Sequence, residues 1–224
     1  MKKHTVLIVD DHPLIADTYQ IALNKLKSEN DNIDFQVDIA VDSDSAVDKI
    51  NCYTKKGKLD IVILDLNLPE SKDGKILSGE DIGKLIREQH PKAQIIVSTT
   101  HNDSFLMNTI FKSINPDGFL IKNDINLAEL VKAINSILGD IPYYSKSVLR
   151  FVRSQVASED KLDKQDRIIL HEISNGAKMK ELPDIVGLSI ASIEKRKRRL
   201  KDIFGVLGDS DRELIQIAKE KGFI

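Results

Sequence analysis

The strongest constraint on the fold of this chain is an alternation. Through its first 138 residues, short apolar runs rich in branched side chains take turns with longer stretches in which apolar residues recur every three or four positions. The runs fall at residues 5–9, 35–41, 61–64, 94–97 and 118–121. The periodic stretches fall at 14–26, 46–53, 82–89, 105–114 and 127–138. Short runs apolar on both faces read as strands buried on both sides, and strands separated by helices pair in parallel. Five strands alternating with five helices predict an α/β fold: a doubly wound, five-stranded parallel sheet.

After residue 140 the pattern changes. "LGDIP" at 138–142 punctuates the fifth helix, and residues 141–161 read as a connector with a helical core at 148–156. From residue 162 four short helices are expected, at 164–174, 178–186, 190–204 and 211–221, so the domains are 1–140, the connector 141–161, and a small all-α domain 162–224. Asn175-Gly176 and Gly187 supply helix stops and Ser189 a helix start. The two middle helices, joined through "VGLS", have the length and turn of a helix-turn-helix. Pro183 is tolerated only near a first turn, so its helix either starts late or bends.

Composition narrows the class. A chain of 224 residues with 41% apolar content sustains two cores. The net charge of −2 combines a slight excess of base after residue 159 with an excess of acid before it, which points to the C-terminal part for any nucleic-acid contact. The single cysteine, Cys52, allows no internal disulfide, fits a reducing compartment and reads as a small packed helix residue. No apolar run reaches membrane-spanning length and the basic start is followed by too short a stretch for a signal peptide, so a cytoplasmic location without membrane contact is expected.

The chemistry is carried by strand ends. The first strand runs into two adjacent acids in "VLIVDDHP", and one acid is enough to cap the following helix. In a doubly wound sheet, ligands bind beyond the carboxyl ends of the strands. There the third strand, "IVILDLNLP", brings Asp65, the fourth, "IIVSTTH", brings Thr99, and the fifth, "GFLIK", brings Lys122. Three carboxylates with a few further oxygens suit octahedral Mg²⁺. Adding a hydroxyl and an ammonium makes a set suited to phosphoryl transfer onto a carboxylate.

Asp10-Asp11, Asp65 followed by Leu66-Asn67-Leu68-Pro69, Thr99 and Lys122, in this order on alternating strands, resemble a response-regulator receiver domain, a flavodoxin-like fold, over about residues 3–140. The resemblance implies that Asp65 is the phosphoacceptor, served by a partner sensor histidine kinase. It implies that Asp10, Asp11, Asp65 and the main-chain carbonyl of Asn67 hold Mg²⁺, that Thr99 and Lys122 contact the phosphoryl group, and that Phe119 is the switch residue acting with Thr99. Two departures stand out. Asn123 follows the lysine where the family usually has proline, and the loop from Pro69 to Gly79 is about six residues longer than usual, hydrophilic, and expected to be mobile.

Residues 162–224, most clearly "GAKMKELPDIVGLSIASIEKRKRRLKDIFGV", resemble the LuxR-type (NarL/FixJ class) four-helix DNA-binding domain. Gly176, Glu181, Leu182, Gly187, Leu188, Ser189, Ile193 and Leu200 match its small or apolar framework. The third helix puts Ile193, Leu200, Ile203 and Phe204 on one face and Glu194, Lys195 and Arg198 on the other. Its run from Glu194 to Lys201 holds six cations and one acid. Glu194, Lys195, Arg198, Arg199 and Lys201 are the candidate DNA contacts; the family often has a base in place of Glu194. The function expected is a DNA-binding response regulator, dimeric on double-stranded promoter DNA and not an enzyme. An adaptor whose terminal helices bind protein is the alternative. A phosphatase of the haloacid dehalogenase kind fits worse, because Asn67 stands where that family needs a second aspartate.

Overall fold

The computed structural model describes residues 2–159, 162–206, 208 and 210–224. The elements in chain order are β1 (Lys2–Val9), α1 (Pro13–Glu29), β2 (Ile33–Ala40), α2 (Ser43–Lys56), β3 (Ile61–Asp65), α3 (Gly79–Gln89), β4 (Gln94–Thr99), α4 (Ser104–Ser113), β5 (Gly118–Ile121), a 3₁₀ turn (Lys122–Asp124) and α5 (Leu127–Leu138). Then follow β6 (Tyr143–Tyr144), α6 (Lys146–Glu159), α7 (Lys164–Ser174), α8 (Leu182–Val186), α9 (Ile190–Phe204) and α10 (Asp211–Glu220). The last two residues of the expected connector, 160 and 161, lie outside the described residues.

One parallel sheet runs β2-β1-β3-β4-β5-β6. It has six strands, one more than expected: β6 pairs Tyr143 with Gly118 and Tyr144 with Phe119, and two residues are too few to show a strand period. On one face Val6, Ile8, Ile61, Ile63, Ile96 and Leu120 pack with residues of α1 and α5. The alternate residues Leu7, Val9, Val62, Leu64, Ile95 and Val97 are equally buried. Both faces are therefore covered, which is why these strands read as continuous apolar runs. Each such buried Val, Leu or Ile contributes about 1.5–3 kcal/mol.

The long loop after β3 is folded on itself. Ser71 and Ile76 are joined N–H to carbonyl at 2.9 Å, the Ile76 N–H donates to Ser71 Oγ at 3.0 Å, and Gly74 turns the chain at φ 68°. The hydrophilic composition that suggests mobility is what supplies these bonds, since Ser71 and Asp73 side chains bond to nearby backbone amides. Cys52, expected to be packed, is exposed on α2.

The chain divides into two compact units, one through Asn102 with Ile110–Leu149, the other Asp103–Thr109 with Arg150–Ile224. The division falls inside α6, so the expected connector is shared between them. The second unit has its own core, including Leu162, Ile169, Leu182, Ile193, Leu200, Phe204 and Leu214. Pro183 sits in the first turn of α8, so that helix starts late, at Leu182, leaving residues 178–181 outside it. Gly187, at φ 72°, closes it in the left-handed conformation that a side chain would disfavour. Ser189 then accepts from the Ser192 N–H and starts α9.

Candidate functional site

The chain leaves β1 for β2 on one side and reaches β3 on the other, so the strand order reverses between β1 and β3. Val9 pairs with Leu64, which sets Asp10 and Asp65 side by side at the carboxyl edge. Both are buried, at 0% and 2% exposure. Lys122 Nζ donates to Asp10 Oδ2 at 2.8 Å and to Asp65 Oδ2 at 2.6 Å. The opposite oxygens accept from backbone: Asp10 Oδ1 from the His12 N–H and Asp65 Oδ1 from the Asn67 N–H, each at 3.0 Å. Burial pushes the Asp10 carboxyl above its usual range, and the Lys122 hydrogen bond only partly offsets this. Burial would lower the Lys122 ammonium, but its hydrogen bonds to Asp10 and Asp65 outweigh that and hold it higher than usual.

Asp11 lies at the rim, its carboxylate 2.6 Å from His12 Nδ1. One ligand atom from each of Asp10, Asp11, His12 and Asp65 lies within 4.8 Å of the others. Three carboxylates against one ammonium leave two uncompensated negative charges, which a divalent cation would balance. The oxygen-rich donor set suits a hard ion. Thr99 is buried at the same edge, and its Oγ1 accepts from the His101 N–H at 3.2 Å. Thus Asp10, Asp65 and Lys122 are bonded together, while Thr99 and Asp11 stand beside them without bonding to the lysine.

In the second unit, α9 buries Ile193, Leu200 and Phe204 and exposes Glu194, Lys195, Arg198 and Arg199. Lys201, a candidate DNA contact, is instead buried at 9% exposure and stands 3.2 Å from Asp211 Oδ1. Asp211 comes from α10, beyond a loop, and a helical projection of α9 alone cannot place it. Arg196 is likewise taken up, by Asp163 at 2.6 Å and Asp166 at 2.8 Å.

Residues 6–135 match the response regulator receiver domain family. The chain belongs to that family. It is 25% identical over 225 residues to the transcriptional regulatory protein MctR of Rhizobium johnstonii, covering 99% of this chain and 96% of that protein. It is 29% identical over 203 residues to the nitrate/nitrite response regulator protein NarP of Escherichia coli, covering 87% and 86%. Among solved structures, the RcsB response regulator of Salmonella typhimurium superposes with a TM-score of 0.61 at 22% identity, over 96% of this chain and 98% of that one. A second RcsB structure, a complex with DNA, superposes with a TM-score of 0.54 at 21% identity, covering 98% and 99%.

Within the receiver, Phe119 is fully buried, its ring 5.6 Å from Phe111, which meets Tyr144 edge-on at 5.4 Å. Asn123, which stands where the family usually has proline, lies in the 3₁₀ turn Lys122–Asp124. That turn brings Asp124 to the start of α6, where its carboxylate accepts from the Ser147 N–H at 2.7 Å and from Ser145 Oγ at 3.0 Å. Asp124, His12 and Gly79 escape sequence reasoning. Asp124 and His12 sit in connections without period, whereas Gly79, the first residue of the amphipathic α3, could have been suspected as a close-approach residue.

Proposed function

We propose that this response regulator is a DNA-binding transcription regulator controlled by phosphorylation of Asp65. The observation that carries the reading is the Lys122 ammonium shared between buried Asp10 and Asp65, in a chain that also carries a helix-turn-helix with an exposed cationic face. An Asp65 carboxylate oxygen attacks the phosphorus of a phosphodonor, in the cell the phosphohistidine of a sensor histidine kinase. As the new P–O bond forms the P–N bond breaks, and the imidazole leaves with that electron pair and takes a proton from water. Lys122 neutralises phosphoryl oxygens, and Thr99 turns its hydroxyl to one of them. Asp10, Asp11 and Asp65 with the Asn67 carbonyl would hold Mg²⁺, which offsets phosphoryl charge when bound. The new charge gives Thr99 and Lys122 a difference between two receiver states, and Phe119 follows Thr99.

The exposed residues Glu194, Lys195, Arg198 and Arg199 of α9 form the face that enters the major groove of promoter DNA, with two chains bound as a dimer. Similarity over nearly full length to a transcriptional regulatory protein, and to a protein solved on DNA, supports this. Lys201 is left out of the face because Asp211 holds it. The test is the intact mass after incubation with acetyl phosphate and Mg²⁺. Wild type gains one phosphoryl group and Asp65→Ala gains none; equal gain by both overturns the assignment.

A further inference from the structure

Of the six cations between Glu194 and Lys201, four are in contact with acids of the same domain. Arg196 and Arg199 meet Asp166, at 2.8 and 3.4 Å. Lys197 Nζ donates to Asp211 Oδ2 at 2.6 Å, and Lys201 Nζ stands 3.2 Å from Asp211 Oδ1. Among the described residues, Lys195 and Arg198 form no ion pair. The two acids differ in kind. Asp166 also closes the cap of α7, so its role is partly structural, whereas the Asp211 side chain, at the N-terminal end of α10, is 41% exposed.

Asp211 borders a groove of about 370 Å³ lined by Met179, Glu194, Lys197, Arg198 and Lys201. The two lysines reach it along buried stems, with side chains only 14% and 11% exposed. A buried ammonium is tolerable while an acid compensates it. Without the acid, a lysine stem extends until its head reaches water or another anion. The groove's remaining acid is the single Glu194, and against it the closely spaced phosphates of bound DNA compete for the two freed ammoniums.

Building on the DNA-binding reading above, we infer that Asp211 is a built-in counter-ion of the reading helix. It occupies Lys197 and Lys201, withholds them from DNA phosphates, and leaves binding to depend on Lys195 and Arg198 and hence on base sequence. Burial alone would raise the Asp211 carboxyl; Lys197 and Lys201 outweigh it and hold it below the usual range, so the pairing persists at neutral pH. Asp211 is thus a specificity-determining residue that works by suppressing charge-driven binding anywhere on DNA.

The experiment measures binding of the full chain to a mixed-sequence duplex across a salt series. The proteins are wild type, D211N, D211S, E213Q and the double variant K197Q/D211N. Glu213 is an exposed acid two residues further along α10, with no lysine pair among the described residues, so E213Q removes the same charge without freeing a cation. D211N and D211S are expected to bind more tightly and to steepen the slope of log K against log salt by about 1–2, at roughly 0.9 for each added phosphate contact. E213Q keeps the wild-type slope, and K197Q/D211N loses at least half of the added slope. The proposal is overturned if both Asp211 variants keep the wild-type slope, or if E213Q matches them. Wild type that shows no salt-dependent binding instead overturns the DNA-binding reading beneath it, which separates the two failures.

Discussion

The backbone of Asp65 is closely approached by a residue with no side chain. Gly79 opens α3, donates its N–H to the Leu66 carbonyl at 3.0 Å, and lies so close to the end of β3 that a Cβ would stand 2.0 Å from the Asp65 carbonyl oxygen. Alanine there must displace the helix start or the Asp65 backbone, and overpacking of this kind costs about 1–3 kcal/mol. G79A should melt earlier and take up phosphoryl from acetyl phosphate more slowly; an unchanged midpoint and rate would contradict the close approach. The two uncompensated charges of the acidic edge give a second expectation. At one hundred times its dissociation constant, the proposed Mg²⁺ should stabilise the receiver by about 2.7 kcal/mol, and Asp11→Asn should need more Mg²⁺ for the same rise in melting temperature. The strand-end residues were legible in sequence because a buried strand announces where it stops. Gly79 and His12 were not, because their importance comes from what the fold brings against them.

At the scale of elements, α7 depends on its cap. Asp163 and Asp166 exchange backbone-to-carboxylate hydrogen bonds, and Asp163 also meets Arg196 of α9. Asp163→Ala should therefore destabilise the second unit by about 0.5–2 kcal/mol in a denaturant titration. Burial raises the Asp163 carboxyl, but the Asp166 N–H and Arg196 outweigh it and leave it below the ordinary 3.8. A depressed carboxyl stabilises fully above its unfolded value, and that contribution is lost as pH falls through the lower native value. The acid limb of unfolding below pH 3.8 should accordingly flatten in Asp163→Ala. On α9, Arg198→Ala should lose about 1–3 kcal/mol on an operator selected from a random pool and less on a scrambled duplex. Helix limits at α5, α7 and α9 were readable from period and caps. The two-residue β6 carries no period, and the start of α8 was set by Pro183, which leaves a late start and a bend equally open until the backbone is seen.

At the scale of the whole molecule, one chain holds a receiver and a helix-turn-helix, and phosphorylation of Asp65 is proposed to change DNA affinity. Most strands and helices of both units were legible because each unit has its own apolar pattern. The charge that α9 presents was not, because its acidic partners come from α7 and α10. Coupling between sites in one protein typically amounts to about 1–3 kcal/mol, a change of roughly 5–150-fold in affinity. The direct measurement is the affinity of the full chain for its selected operator, at fixed salt and Mg²⁺, with and without acetyl phosphate, for wild type and Asp65→Ala. The phosphodonor should tighten binding by wild type within that range and leave Asp65→Ala unchanged; a donor that changes neither protein, or both alike, would show that Asp65 phosphorylation does not control binding.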